Sequence, residues 1–192
     1  MGWMIIPMPV IIVLNIKKIK MKTILIGIAI VMTSLAACTN VSNKSTGENK
    51  SVIGIVRQYF NLKNALANDD GKEAAIAGNA IVETMDKLDT SLLSSDQKKT
   101  YKDLQEDTRE NAEHIGANAD RIAHQREHFE MLSKDVYDLV KKFGAGQTVY
   151  QDFCPMYNDG KGATWISEIK DIRNPYLGKK MPTCGSVKEE IK

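Results

Sequence analysis

The chain has 192 residues, of which 26 are basic, 24 acidic and 43% hydrophobic. That length suffices for one domain with a real core. The charge is nearly balanced, which gives no support for nucleic-acid binding.

The N-terminal part reads as a targeting signal. Lys22 precedes an apolar run, Thr23 to Met32, that ends in Leu35-Ala36-Ala37-Cys38. A basic start, an apolar stretch and small residues before a cysteine resemble a bacterial lipoprotein signal peptide. The resemblance implies cleavage before Cys38 and lipid on its sulfur. The run is shorter than the roughly 20 residues of a spanning helix. A second apolar run, Trp3 to Ile16, is unusual for a signal, so we read Met21 as the start of translation and 1–20 as a mis-assigned start. The expected organisation is therefore 1–37 signal region, 38–50 lipidated cysteine and flexible tether, and 51–192 a single helical domain. Cleavage removes Lys17, Lys18, Lys20 and Lys22 and no acid, leaving 22 basic against 24 acidic residues.

Thr39 to Lys50 is polar and aperiodic, a tether spanning roughly 20 Å by random-coil scaling. Ser51 is the expected cap of a first helix. Val52, Val56, Tyr59, Leu62 and Leu66 give that helix one apolar face. A second helix, from about Lys72 to Leu88, buries Ala74, Ala77, Ile81, Met85 and Leu88. After Ser94-Ser95-Asp96 a third runs from about Asp96 to Ile115, with a weaker stripe of Tyr101, Leu104, Thr108, Ala112 and Ile115. A fourth, from about Ala119 to Phe143, has the clearest periodicity: Ile122, Phe129, Leu132, Val136, Val140 and Phe143. Gly144-Ala145-Gly146 stops it. Four amphipathic segments with short joins predict an all-α, antiparallel up-down four-helix bundle. Only Thr148 to Phe153 is strand-like. Beyond it Gly160, Gly162, Asn174-Pro175 and Pro182 predict a loop-rich segment packed on the bundle.

That segment carries Cys154-Pro155-Met156 and Met181-Pro182-Thr183-Cys184. Cys-x-Met answered by Met-x-x-Cys places four soft donors in two short clusters, which suits Cu(I) or Ag(I). Pro155 and Pro182 stiffen both motifs. The expected metal ligands are Cys154, Met156, Met181 and Cys184, with His128 as an additional candidate. The alternative is a Cys154–Cys184 disulfide with both methionines in ordinary packing. Spacing does not separate the two. Trp165 reads as an anchor against the bundle, and Asn174-Pro175-Tyr176 as a turn. His124 and His128 lie four apart on the fourth helix, but Gln125, Arg126 and Glu127 make that face read as solvated. His114 has no partner in sequence.

Gln125-Arg126-Glu127-His128-Phe129, Phe153-Cys154-Pro155-Met156, Gly162-Ala163, Trp165, Ser167, Ile172-Arg173-Asn174-Pro175-Tyr176, Gly178, Met181 and Cys184-Gly185 together resemble a Bacteroidetes-type domain of unknown function. That domain occurs alone in exported proteins and at the C-terminus of periplasmic adaptor subunits of copper/silver efflux pumps. The resemblance covers roughly Val52 to Val187. It is loose over the first three helices and specific over the last forty residues. Its fusion partners imply heavy-metal handling by association.

No nucleophile elbow, phosphate loop or dinucleotide fingerprint occurs, and Cys154 with His128 lacks a third group to orient the base. We therefore expect no enzyme. The expectation is a lipid-anchored envelope protein, facing the periplasm or on the outer membrane. It would bind Cu(I) or Ag(I) as a buffer or as a donor to an efflux adaptor or metallochaperone. The alternative is a disulfide-stapled interaction module without metal.

Overall fold

The computed structural model of the chain describes residues 45–192. The signal region, Cys38 and tether residues 39–44 lie outside the described residues. Four helices come first: α1 (Ser45–Ala67), α2 (Gly71–Asp86), α3 (Ser95–Ala117) and α4 (Ile122–Phe143). Three strands follow: β1 (Val149–Cys154), β2 (Ala163–Ser167) and β3 (Ser186–Ile191). Single 3₁₀ turns occupy Thr90–Leu92 and Gly178–Lys180. Among the described residues, no helix is long and apolar enough to cross a membrane.

Local chemistry explains the helix ends. Asp70 caps α2 by accepting from the Glu73 N–H at 2.9 Å. Ser94 and Gln97 form a reciprocal capping box at the start of α3. Gly144, at φ 76°, ends α4 in a conformation that favours glycine. Successive helices pack together and α4 returns to α1, so the joins 68–70, 87–94 and 118–121 connect antiparallel neighbours of a helical bundle. Most residues of the expected stripes line its core, with Leu88, Leu104 and Ile122 half-buried against it. Val52, Val56, Tyr59, Leu62 and Leu66 are buried, as are Phe129, Leu132, Val136, Val140 and Phe143. Tyr59 stacks on Phe129, with ring centroids 5.1 Å apart.

Three expectations need correction. The domain is not all-α. Its C-terminal part forms a three-stranded antiparallel sheet in the order β2-β1-β3, whose strand β2 packs on α4. The Gly and Pro residues that predict a loop-rich segment punctuate short strands. Residues 155–162 close the β1–β2 hairpin, and β3 returns by a long connection to the far edge of β1. The tether is also shorter than expected, because α1 begins at Ser45 and Ser51 lies inside it. Finally, α2 ends at Asp86 and α4 begins at Ile122.

Candidate metal centre

β1 ends in Cys154, which pairs with Ala163 of β2. Cys154 is buried and Cys184 half-buried, and both are free thiols. Their sulfurs lie 3.1 Å apart across thirty residues of chain. Asn174 holds the second cysteine in place. Fully buried, it accepts from the Tyr176 and Leu177 N–H groups at 2.8 and 2.9 Å, and its amide donates to the Cys184 carbonyl at 2.7 Å. The Asn174 N–H also donates to the Pro182 carbonyl. So Asn174-Pro175-Tyr176 does shape a turn, and the turn clamps the Met181–Cys184 loop. Gly185 follows, where an added Cβ would meet the Phe153 carbonyl and the Trp165 ring, each at 3.0 Å.

The two methionines reach this place through their main chains. Met156 follows Cys154 by two residues, and the Met181 carbonyl accepts from the Cys184 N–H at 3.2 Å. Their side chains are on the surface, Met156 at 59% and Met181 at 37% exposure. The Cys154 contact, with burial, holds the Cys184 thiol above its ordinary value. A metal arriving here must therefore displace a proton. Trp165 reads from sequence as an anchor against the bundle. It is fully buried and meets Tyr176 edge-on at 5.9 Å.

His128 belongs to a different group. Its ring stacks on His114 at 4.3 Å with the planes 5° apart, and meets His124 edge-on at 4.6 Å. One nitrogen of each of the three rings lies within 4.8 Å of the others. Neither thiol belongs to this group. His114, read as having no partner, thus has two. The α3–α4 join folds it back beside His124 and His128, a proximity that no local spacing shows.

The solvated-face reading of Gln125 and Arg126 is also wrong. Gln125 is fully buried and its amide donates to the Gly71 and Ile115 carbonyls at 2.8 and 3.1 Å. Arg126 donates to the Pro175 and Leu66 carbonyls at 2.8 and 2.9 Å and pairs with Asp69 at 2.5 Å. Carbonyls in the last turn of a helix lack intrahelical partners, and these two side chains donate to one at the end of α3 and one at the end of α1. Gly178 packs on this pair, so closely that an added Cβ would lie 2.6 Å from the Arg126 guanidinium.

A buried charged group was missed altogether. Lys63, fully buried on the core face of α1, donates to Glu168 at 2.8 Å and to Ser167 at 3.3 Å. Asn64 bonds the other Glu168 oxygen at 2.8 Å. Asp152 is also fully buried, and neither of its carboxylate oxygens has a partner. Lys63 had a signal in sequence, since it lies four residues after Tyr59 and seven after Val56, on the apolar stripe. Asp152 had none.

Residues 55–148 match the family model described as Protein of unknown function (DUF3347). This region is a domain of unknown function. It runs from within α1 to the residue before β1, so it holds the three histidines and stops short of both thiols. The sequence resemblance is most specific in the last forty residues, whereas this match falls on the helices. No curated protein and no solved structure matches the chain.

Proposed function

We propose that this protein binds a soft metal ion, Cu(I) or Ag(I), at Cys154 and Cys184. Met156 and Met181 supply thioethers at the mouth of the site. The observation that carries the reading is the 3.1 Å approach of two free thiols held by a built turn. Thiolate and thioether donors select Cu(I) over harder ions. The burial gradient supports it, from buried Cys154 through half-buried Cys184 to two exposed methionines. An unbranched thioether reorients readily, so an exposed methionine can capture an ion and hand it inward.

The lipobox ending at Cys38 supports a lipid-anchored place in the cell envelope, facing the periplasm or on the outer membrane. The resemblance to domains fused to efflux adaptors supports a role as a buffer or as a donor to a heavy-metal efflux system. Cys38→Ser is expected to leave unprocessed precursor or lipid-free protein. A variant that partitions into membranes and migrates like the wild type would refute the anchor.

The thiol separation favours a second reading as well, a Cys154–Cys184 disulfide that staples the segment. The two readings are alternative redox states of one site. Anaerobic Cu(I) titration of the reduced protein against a competing chelator tests the metal. Cys154→Ser and Cys184→Ser are expected to abolish tight binding, and Met156→Leu and Met181→Leu to weaken it. The leucine variants should barely change folding, because such swaps usually cost under about 1.5 kcal/mol. Reduced wild-type protein without affinity above buffer overturns the metal reading. Cys variants that lower the stability of the oxidised protein by about 2–5 kcal/mol would then establish the staple.

A further inference from the structure

We propose that His114, His124 and His128 form a second metal site, separate from the thiols, for a borderline divalent ion of the Zn(II) or Cu(II) class. Residues four apart lie on one helix face, so His124 and His128 project together. The join 118–121 then turns the chain back, placing His114, in the last turn of α3, against them. The result is three imidazoles with donor nitrogens within 4.8 Å of one another.

Two of the rings also have an oxygen at hydrogen-bond distance, and the third has a carboxylate nearby. His128 Nδ1 lies 3.0 Å from the Asn111 side-chain oxygen. His124 Nδ1 lies 2.9 Å from a Glu127 carboxylate oxygen. His114 Nε2 is 3.8 Å from Glu110. A metal-bound histidine typically donates its second ring N–H to such an acceptor, which fixes the ring and leaves the other nitrogen's lone pair for the ion. For His124 and His128 this outer contact falls on Nδ1, so Nε2 remains free to ligate. The neutral ring is the form that binds metal.

The donor set decides the ion. Three nitrogens without a thiolate suit zinc, copper or nickel. Calcium and magnesium require oxygen ligands, and a soft monovalent ion prefers the sulfur site. A tetrahedral ion with bonds of about 2.1 Å holds its ligand nitrogens about 3.4 Å apart. The nitrogens must therefore close from at most 4.8 Å to about 3.4 Å, a movement open to ring rotation in partly exposed side chains. His114 is 46% exposed, so the site opens to solvent and a water can occupy the fourth place, as in three-ligand zinc sites.

The test is a Zn(II) titration of the full chain, made without a polyhistidine tag, against a chromophoric chelator. X-ray absorption at the zinc edge reads the ligand atoms. We expect one equivalent of Zn(II) with nitrogen and oxygen neighbours and no sulfur. Each of His114→Ala, His124→Ala and His128→Ala should lower its affinity by about tenfold or more. Cys154→Ser/Cys184→Ser should leave it unchanged. His114 is the most exposed of the three, so His114→Ala keeps the test decisive where a more buried variant loses its fold, with circular dichroism as the check. Sulfur scattering, an affinity unmoved by His114→Ala, or no saturable binding would each overturn the proposal. Cu(I) titration of the three-histidine variant separates the two sites: undiminished Cu(I) affinity shows them to be independent, and a joint loss refutes their separation.

Discussion

Asn174 connects one side chain to the geometry of the thiols. Its oxygen accepts two backbone N–H groups and its amide holds the Cys184 carbonyl. Asn174→Ala leaves three groups without their partner, the buried Tyr176 N–H and the half-buried Leu177 N–H and Cys184 carbonyl, and a buried group costs about 1–3 kcal/mol when unsatisfied. We expect it to lower stability by about 2 kcal/mol or more in denaturant titration. A purely structural residue would do no more than that. If Asn174 positions Cys184, the variant should also slow disulfide formation or weaken Cu(I) binding under conditions where it remains folded. Phe129 makes the complementary case for packing. It is fully buried and stacked on Tyr59, so Phe129→Ala should cost about 3–5 kcal/mol. Lys141 lies on the surface and pairs with Glu189 at 2.6 Å. Lys141→Ala should cost at most about 1 kcal/mol, as exposed pairs do. Equal shifts in melting temperature would mean that the core of α4 lies elsewhere.

At the scale of elements, what the sequence shows and what it hides follow contact distance. The helices are legible because their apolar periodicity and caps are local. Ser94 and Gln97, three apart, announce α3, and Phe129 to Val140 outline the buried face of α4. The sheet is harder to see. β3 alternates exposed Ser186, Lys188 and Glu190 with half-buried Val187, Glu189 and Ile191, a period of two that is present in the sequence. Yet it is a charged edge strand, and its partner β1 lies more than thirty residues away. A turn between helices hides the histidine group: His124 and His128 show their spacing, while His114 joins them only through the α3–α4 fold. Arg126 illustrates the cost of reading polarity as exposure. It ties α4 to the end of α1 and to the turn before Gly178. Arg126→Lys keeps the charge but loses the planar fork that reaches several acceptors at once. We expect it to destabilise the protein by about 1–3 kcal/mol. Thermal unfolding checks this, and a neutral outcome would show that water replaces the lost donors.

For the whole molecule, the contact between bundle and sheet is partly ionic, and that gives stability a pH dependence. Lys63 and Glu168 form a pair there, but Asp152 is buried with both oxygens unpartnered. Burial pushes the Asp152 carboxyl up to about 7, with Lys63 offsetting only part of the effect. Its ordinary value is 3.8. Across that interval the folded state holds more protons than the unfolded state, so stability falls as pH rises and levels off above the folded value. Asp135, raised to about 6 by burial and then by Asp107 and Asp138, has the same sign over a lower window. Lys63, lowered by burial from 10.5, has the opposite sign, so ionising Asp152 and deprotonating Lys63 act against each other. Comparing wild type with Asp152→Asn removes what the two proteins share. The wild type should lose melting temperature between about pH 5 and about pH 7, and the variant should lose less. At the upper end Asp152→Asn should be the more stable protein, because it buries no unpaired charge. Parallel melting curves across this range would mean that Asp152 stays ionised in the fold, stabilised by Lys63.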